Sequence, residues 1–157
     1  MSADDLVLVE HPRPRIAVVR LNRPEALNAL SSRLREQIVS TFEAFRSDDR
    51  TEVIILTCAG RAFTVGLDLK ELGGEVDGSV SVPAARLSEA LTDLPQVLIG
   101  AVNGYAITGG FELALMCDFL VAATGAQFAD THARVGVVPG WGLSQRLPRL
   151  IGINRAK

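Results

Sequence analysis

Cysteine and histidine are scarce in this chain, 2 of each in 157 residues, and no zinc-type Cys/His spacing is present. Two cysteines are too few for a disulfide framework. Cys58 closes an apolar run and Cys117 lies inside another, so both read as reduced core thiols of a cytoplasmic protein. There is no run of Lys or Arg, and the net charge is −2, so the chain carries no general basic field for nucleic acid. The start, MSADDLVLVE, is acidic and lacks the basic opening and long apolar stretch of a signal peptide, so no export is expected. An uninterrupted membrane-length apolar run is also missing: Val97 to Ala123 is broken by Asn103, Gly104, Gly109, Gly110, Glu112 and Asp118. Low-complexity tracts and strict repeats are absent.

Apolar residues are plentiful. At 48% hydrophobic, the chain is able to bury a substantial core, and its length suits one domain, residues 1–157. Leu6–Glu10 and Arg15–Leu21 read as strands joined by a turn at HPRP. LNRPEALNAL turns the chain again. From Ser32 to Ser47, Leu34, Ile38, Phe42 and Phe45 recur at helical spacing, with Ser31 or Ser32 as cap. Val53–Cys58 is an apolar strand, followed by the glycine-bearing loop AGRAFTVG and a short helical DLKEL. Gly73–Val82 reads as a flexible connection, Pro83–Leu94 as an amphipathic helix and Val97–Val102 as another strand. A helix is expected from Gly109, then short strands at Asp118–Ala123 and Ala126–Ala129, and a helix from Gly142 to Ile151 limited by Pro148. Strands alternating with helices in this way predict an α/β or mixed spiral fold.

Within NGYAITGGFELALMCDFLVAA, Glu112 is a lone acid among Phe111, Leu113, Ala114, Leu115 and Met116. Burial of such an acid penalises its charged form, which suits proton transfer near neutral pH. Gly109 and Gly110 precede it at the expected helix start, where free backbone N–H groups and the helix dipole favour an oxyanion. Strand, glycine loop and helix start also follow one another after Val53–Cys58. The pattern therefore supplies two potential oxyanion donors. A plainer account has Glu112 on the helix's one polar edge, bound to a buried arginine or to solvent, with the glycines serving close packing.

Taken in order, LNRPEALNAL, GRAFTVGLDLKEL, AVNGYAITGGFELALMCDFLVAA and PGWGLSQRLPRLIG resemble the landmarks of the crotonase superfamily, the enoyl-CoA hydratases and isomerases. The likeness runs from about Arg15 to the end. It implies a crotonase-like α/β spiral of ββα units that binds an acyl-CoA thioester and stabilises its enolate with two backbone N–H groups. By position these fall on Leu67, after Val65 and Gly66, and on Gly109. The stretch Leu67-Asp68-Leu69-Lys70 falls near the adenine end of CoA, where Lys70 either offsets phosphate charge or is a solvated helix charge. CoA enters as part of the substrate, and neither a metal nor a separate cofactor is implied. The family also implies a homo-oligomer, trimer or hexamer.

Hydratases of this family use two glutamates. Glu112 matches the first, but the second position falls on His132. Histidine is able to act as acid or base, and Asp130 nearby is a second candidate acid; alternatively both belong to a polar loop that bridges backbone. Gly140 matches a glycine that helps hold the catalytic water, while Trp141 replaces a small residue and is expected to reshape the acyl pocket. Family members generally continue into a C-terminal helical region beyond the point where this sequence stops. The resemblance thus implies hydration of a 2-enoyl-CoA to a 3-hydroxyacyl-CoA in fatty acid metabolism, with an isomerase, a decarboxylase or a non-catalytic acyl-CoA-binding paralogue as alternatives.

Overall fold

The computed structural model describes residues 5–73 and 84–157. It opens on an antiparallel hairpin, β1 (Val7–Arg13) and β2 (Ile16–Leu21), that turns at Pro14 and Arg15. The expected HPRP turn is narrower than the motif, because β1 runs on through Pro12 with an irregular register between Glu10 and Arg13. β1 is the edge of its sheet, where a residue without an N–H is tolerated. Arg15 takes up the reversal at φ 66°.

Helix α1 (Ser32–Phe45) follows, with the Ser31 hydroxyl accepting the Leu34 N–H at 3.2 Å. Its buried stripe of Leu34, Ile38, Phe42 and Phe45 is the one the spacing predicts. The helix ends two residues before Ser47. With Val19, Leu21, Ile54, Leu56 and Phe63 the stripe belongs to one continuous core.

From Val53 to Val135 the chain repeats one unit. β3 (Val53–Cys58), β4 (Ala62–Thr64) and α2 (Leu69–Leu72) form the first. After α3 (Ala84–Leu91), β5 (Val97–Val102), β6 (Tyr105–Ile107) and α4 (Gly109–Leu115) form the second. The third is β7 (Phe119–Ala122), β8 (Gln127–Ala129) and a 3-10 turn, His132–Val135. The first strand of each unit joins a five-stranded sheet ordered β1-β2-β3-β5-β7, and the second joins a three-stranded sheet ordered β4-β6-β8. All pairings beyond the hairpin are parallel, so the chain climbs one strand per unit in both sheets at once. This is the expected spiral of ββα units.

β4 and β6 were not expected as strands; the sequence reads there as glycine loops. Each is three residues long and too short to show a strand period. The glycines beside them permit close approach: a Cβ on Gly104 would sit 2.0 Å from the Arg61 carbonyl oxygen, and one on Gly110 would sit 2.0 Å from that of Thr64. Gly110 thereby lets the start of α4 rest on β4.

Of the expected connection Gly73–Val82, only Gly73 is described, as the residue closing α2; residues 74–82 and Pro83 lie outside the described residues. The described part of the following helix ends at Leu91 rather than Leu94. α5 (Leu143–Ile151) continues past Pro148, and Gly152 at φ 84° separates it from α6 (Ile153–Ala156). No described helix is long and apolar enough to cross a membrane.

Candidate active site

The ends of β4 and β6 lie side by side, and the loops leaving them meet. Gly66 adopts φ +90°, and a Cβ there would fall 2.9 Å from the Gly109 main-chain nitrogen and 3.1 Å from the Ile107 carbonyl oxygen. Only glycine fits this contact without strain. Gly109 is the first residue of α4, so its N–H has no partner one turn back in the helix. Leu30 donates its N–H to the Gly66 carbonyl at 2.8 Å in an isolated parallel bridge with Leu67, a contact that does not use the Leu67 N–H. Both residues expected to donate to an oxyanion, Leu67 and Gly109, line one cavity of about 240 Å³.

The segments on either side of β4 are held by two residues, Asn28 and Arg23, that sequence reasoning did not single out. Asn28, fully buried, donates through Nδ2 to the carbonyl oxygens of Ala59 and Ala62, both at 2.9 Å. Arg23 Nη1 bonds Asp68 Oδ2 at 2.6 Å and the Ala29 carbonyl at 2.9 Å. Asp68 also caps α2 by accepting the Lys70 N–H at 3.1 Å. Burial acts to raise the Asp68 carboxyl, but its bonds to Arg23 and to main-chain N–H groups outweigh that and hold it below the usual carboxylate range. The signal for this clamp was an arginine and an asparagine inside LNRPEALNAL, a motif that otherwise reads as a simple turn. Lys70 is exposed on α2, and neither it nor Asp68 lines the cavity.

Glu112 sits in the first turn of α4 and is 2% exposed. Its partners are neither a buried arginine nor solvent. Oε1 accepts two main-chain N–H groups, from Trp141 at 2.8 Å and Leu143 at 3.1 Å, while Oε2 faces His132 Nε2 at 3.3 Å. The PGWG loop therefore orients the acid, and the 3-10 turn brings His132 to its free oxygen. His132 is itself buried, at 4% exposure. On the ring's other side Nδ1 lies 2.6 Å from Asp130 Oδ1, which also accepts the His132 main-chain N–H at 3.0 Å. Partial burial works to raise the Asp130 carboxyl, but these bonds and the nearby imidazole bring it below the ordinary value.

The cavity wall adds Gly140, Val65 and an apolar surface from Leu69, Leu72, Val135, Val137, Val138 and Trp141. The Trp141 ring lies against Gly109, where a Cβ would come within 2.9 Å of Cζ3, so it packs on the start of α4 at the cavity wall. Thr108 and Thr131 also line the cavity, with their hydroxyls hydrogen-bonded to each other. Thr108 holds φ 55° and ψ −115°, a backbone region that favours glycine, and donates its N–H to the Ala129 carbonyl at 2.8 Å. Its place before a glycine pair was the available signal. Of the residues expected in the site, Val65, Leu67, Gly109, Glu112, His132 and Gly140 converge on the cavity, and Gly66 supports it from beneath.

A family model described as enoyl-CoA hydratase/isomerase matches residues 13–157. The chain belongs to that family. Within it, the probable peroxisomal enoyl-CoA hydratase 1 of Arabidopsis thaliana is 43% identical over 155 residues, covering 99% of this chain and 58% of that protein. The crystal structure of an enoyl-CoA hydratase from Bacillus anthracis has a TM-score of 0.89 at 39% identity, covering 98% of this chain and 61% of that one. A monofunctional enoyl-CoA isomerase from Mycobacterium smegmatis has a TM-score of 0.79 at 37% identity, covering 96% and 65%. This member of the family thus spans 58% to 65% of the length of these three relatives.

Proposed function

We propose that the chain carries the catalytic core for adding water across the double bond of a 2-enoyl-CoA to give a 3-hydroxyacyl-CoA. The observation that carries this reading is the contact between Glu112 Oε2 and His132 Nε2, 3.3 Å apart at the wall of the cavity that Leu67 and Gly109 also line. The names of the hydratase relatives support the same reaction.

In this reading the thioester carbonyl oxygen accepts the Leu67 and Gly109 N–H groups, with CoA as part of the substrate and no metal or separate cofactor. Water is held near Glu112, His132 and the Gly140 backbone. The Glu112 carboxylate takes a proton from the water as its oxygen bonds to C3, and the double-bond electrons move into an enolate whose oxygen is held by the two donors. As the enolate collapses, C2 takes the proton of cationic His132 Nε2. The proton gained by Glu112 then crosses to Nε2, which restores both groups. The substrate has gained one hydroxyl and one hydrogen, the elements of one water.

An isomerase would need only one group to move a proton between carbons, and a relative of that activity has the same fold. The second acid–base group at 3.3 Å from the first favours hydration. The remaining parts of the reading are a homo-oligomer, trimer or hexamer, and a cytoplasmic setting. Exposed apolar side chains on β7 and the C-terminal helices, among them Phe119, Val121, Leu150 and Ile153, support the first. Two free thiols, Cys58 and Cys117, support the second.

Product mass separates the activities. Crotonyl-CoA gaining the mass of one water supports hydration, a 3-enoyl-CoA converted without mass change supports isomerisation, and calorimetric binding of an inert acyl-CoA analogue with no turnover identifies a binding paralogue.

A further inference from the structure

The His132 ring is held at both nitrogens by carboxylates of different kinds. Glu112, on α4, faces Nε2 from inside the cavity, and Asp130, on the loop after β8, faces Nδ1 at 2.6 Å. Among the described residues these are the titratable groups paired with the imidazole. The two contacts are unequal. The shorter bond goes to the carboxylate nearer solvent, whose side chain is 40% exposed, while the longer one goes to the buried acid whose other oxygen is already fixed.

An ionised carboxylate only accepts hydrogen bonds, so the short bond to Asp130 requires the proton on Nδ1. That leaves Nε2 as the nitrogen whose proton comes and goes. Asp130 Oδ1 also accepts the His132 main-chain N–H at 3.0 Å, which ties the carboxylate to the ring and to its own backbone together. The His132 carbonyl is fixed in turn by the Val137 N–H at 3.0 Å, so the histidine's main chain is anchored on both sides.

We propose that Asp130 is a positioning residue that sets the Nδ1–H tautomer of His132 and aims Nε2 at Glu112, allowing histidine to serve where the family places a second carboxylate. The inference rests on the hydration reading for its kinetic consequence but not for its structural one. Asp130 does not line the cavity, so it acts through His132 alone. A carboxylate in this role also stabilises the imidazolium that must form in each turnover. As a mere loop brace, Asp130 would alter stability without changing which nitrogen is protonated.

Nitrogen NMR on histidine-labelled full chain gives a direct test, since the chain has only 2 histidines and His11→Gln assigns the other resonance pair. Read at a pH high enough for the ring to be neutral, the expected result is a proton on Nδ1 of His132 in the parent and loss of that preference in Asp130→Ala. With crotonyl-CoA, Asp130→Ala is expected to lose roughly ten- to a hundredfold in kcat, less than the roughly 10²–10⁴ of a lost acid–base group, with KM little changed. Asp130→Asn, which still accepts the backbone N–H, serves if the alanine variant does not fold. A parent His132 protonated on Nε2 alone, or a tautomer and kcat indifferent to both substitutions, overturns the proposal. A folded parent without hydratase turnover overturns the hydration reading instead, and the NMR result then decides the role of Asp130 by itself.

Discussion

Glu112 Oε1 lies 2.8 Å from the main-chain nitrogen of Trp141, so the side chain proposed as an acid–base group also satisfies the backbone of the loop beside it. The same oxygen accepts the Leu143 N–H at 3.1 Å. Removal and neutralisation of the acid therefore have different consequences.

Glu112→Ala strands two buried N–H groups and is expected to lower unfolding stability by about 1–3 kcal/mol or more. Glu112→Gln keeps an acceptor there and is expected to unfold close to the parent. Urea titration of the three proteins checks this. Equal stability of Ala and Gln variants would mean that the two hydrogen bonds contribute nothing measurable.

Gly66→Ala places a methyl 2.9 Å from the Gly109 nitrogen at a residue with φ +90°. Backbone strain of this kind costs on the order of 1–3 kcal/mol, and the methyl forces apart the two expected oxyanion donors. Both Tm and kcat with crotonyl-CoA should fall. Unchanged kcat in a folded variant would place the oxyanion donors elsewhere.

Thr108 should invert the usual order of alanine and glycine. Thr108→Ala retains the strain at φ 55° and loses the hydroxyl bond to Thr131, whereas Thr108→Gly loses the same bond but relieves the strain. Thr108→Gly is expected to be the more stable variant by about 1 kcal/mol, read from chemical denaturation. Alanine above glycine would show that the observed backbone angle carries no cost.

The Arg23–Asp68 pair links stability to acid. The Asp68 carboxyl is lower in the folded chain than its ordinary value, against the pull of burial and chiefly through its bond to Arg23. The folded state therefore binds this proton less readily than the unfolded state. Its contribution is fully present above the unfolded carboxylate value, about 3.9, and is lost as pH falls through the lower folded value. Arg23→Met should destabilise the chain at neutral pH and flatten its loss of stability below about pH 4. An unaltered acid limb in that variant would show that the pair is not linked to folding.

Much of this was legible in the sequence, and the reasons differ by segment. Val53–Cys58 and Val97–Val102 appear with the expected bounds because short, largely apolar runs leading into the glycine-bearing turns at Ala59-Gly60 and Asn103-Gly104 read as buried strands. The buried stripe of α1 follows from spacing alone. β4 and β6 were hidden because pairing with each other, which sequence neighbours do not report, is what makes three residues a strand. The approach of Gly66 to Gly109 followed from resemblance, since composition cannot bring two loops 43 positions apart together. His132 was marked by its departure from the family's glutamate, but its sharing between Glu112 and Asp130 depended on the 3-10 turn after β8. Arg23 and Asn28 were visible as polar residues in LNRPEALNAL, but their roles were not, because Asp68, which Arg23 binds, and the Ala59 and Ala62 carbonyls, which Asn28 binds, lie far along the chain.

In the proposed reaction Glu112 and His132 act together on water at an enoyl thioester. The most direct measurement follows the loss of conjugated enoyl-thioester absorbance when crotonyl-CoA is mixed with the parent chain, Glu112→Gln and His132→Ala, each shown to be folded by circular dichroism. Turnover by the parent is expected, with a loss on the order of a hundredfold or more in kcat for both variants. Full turnover in folded His132→Ala would contradict the paired mechanism, and full turnover in Glu112→Gln would remove Glu112 from it.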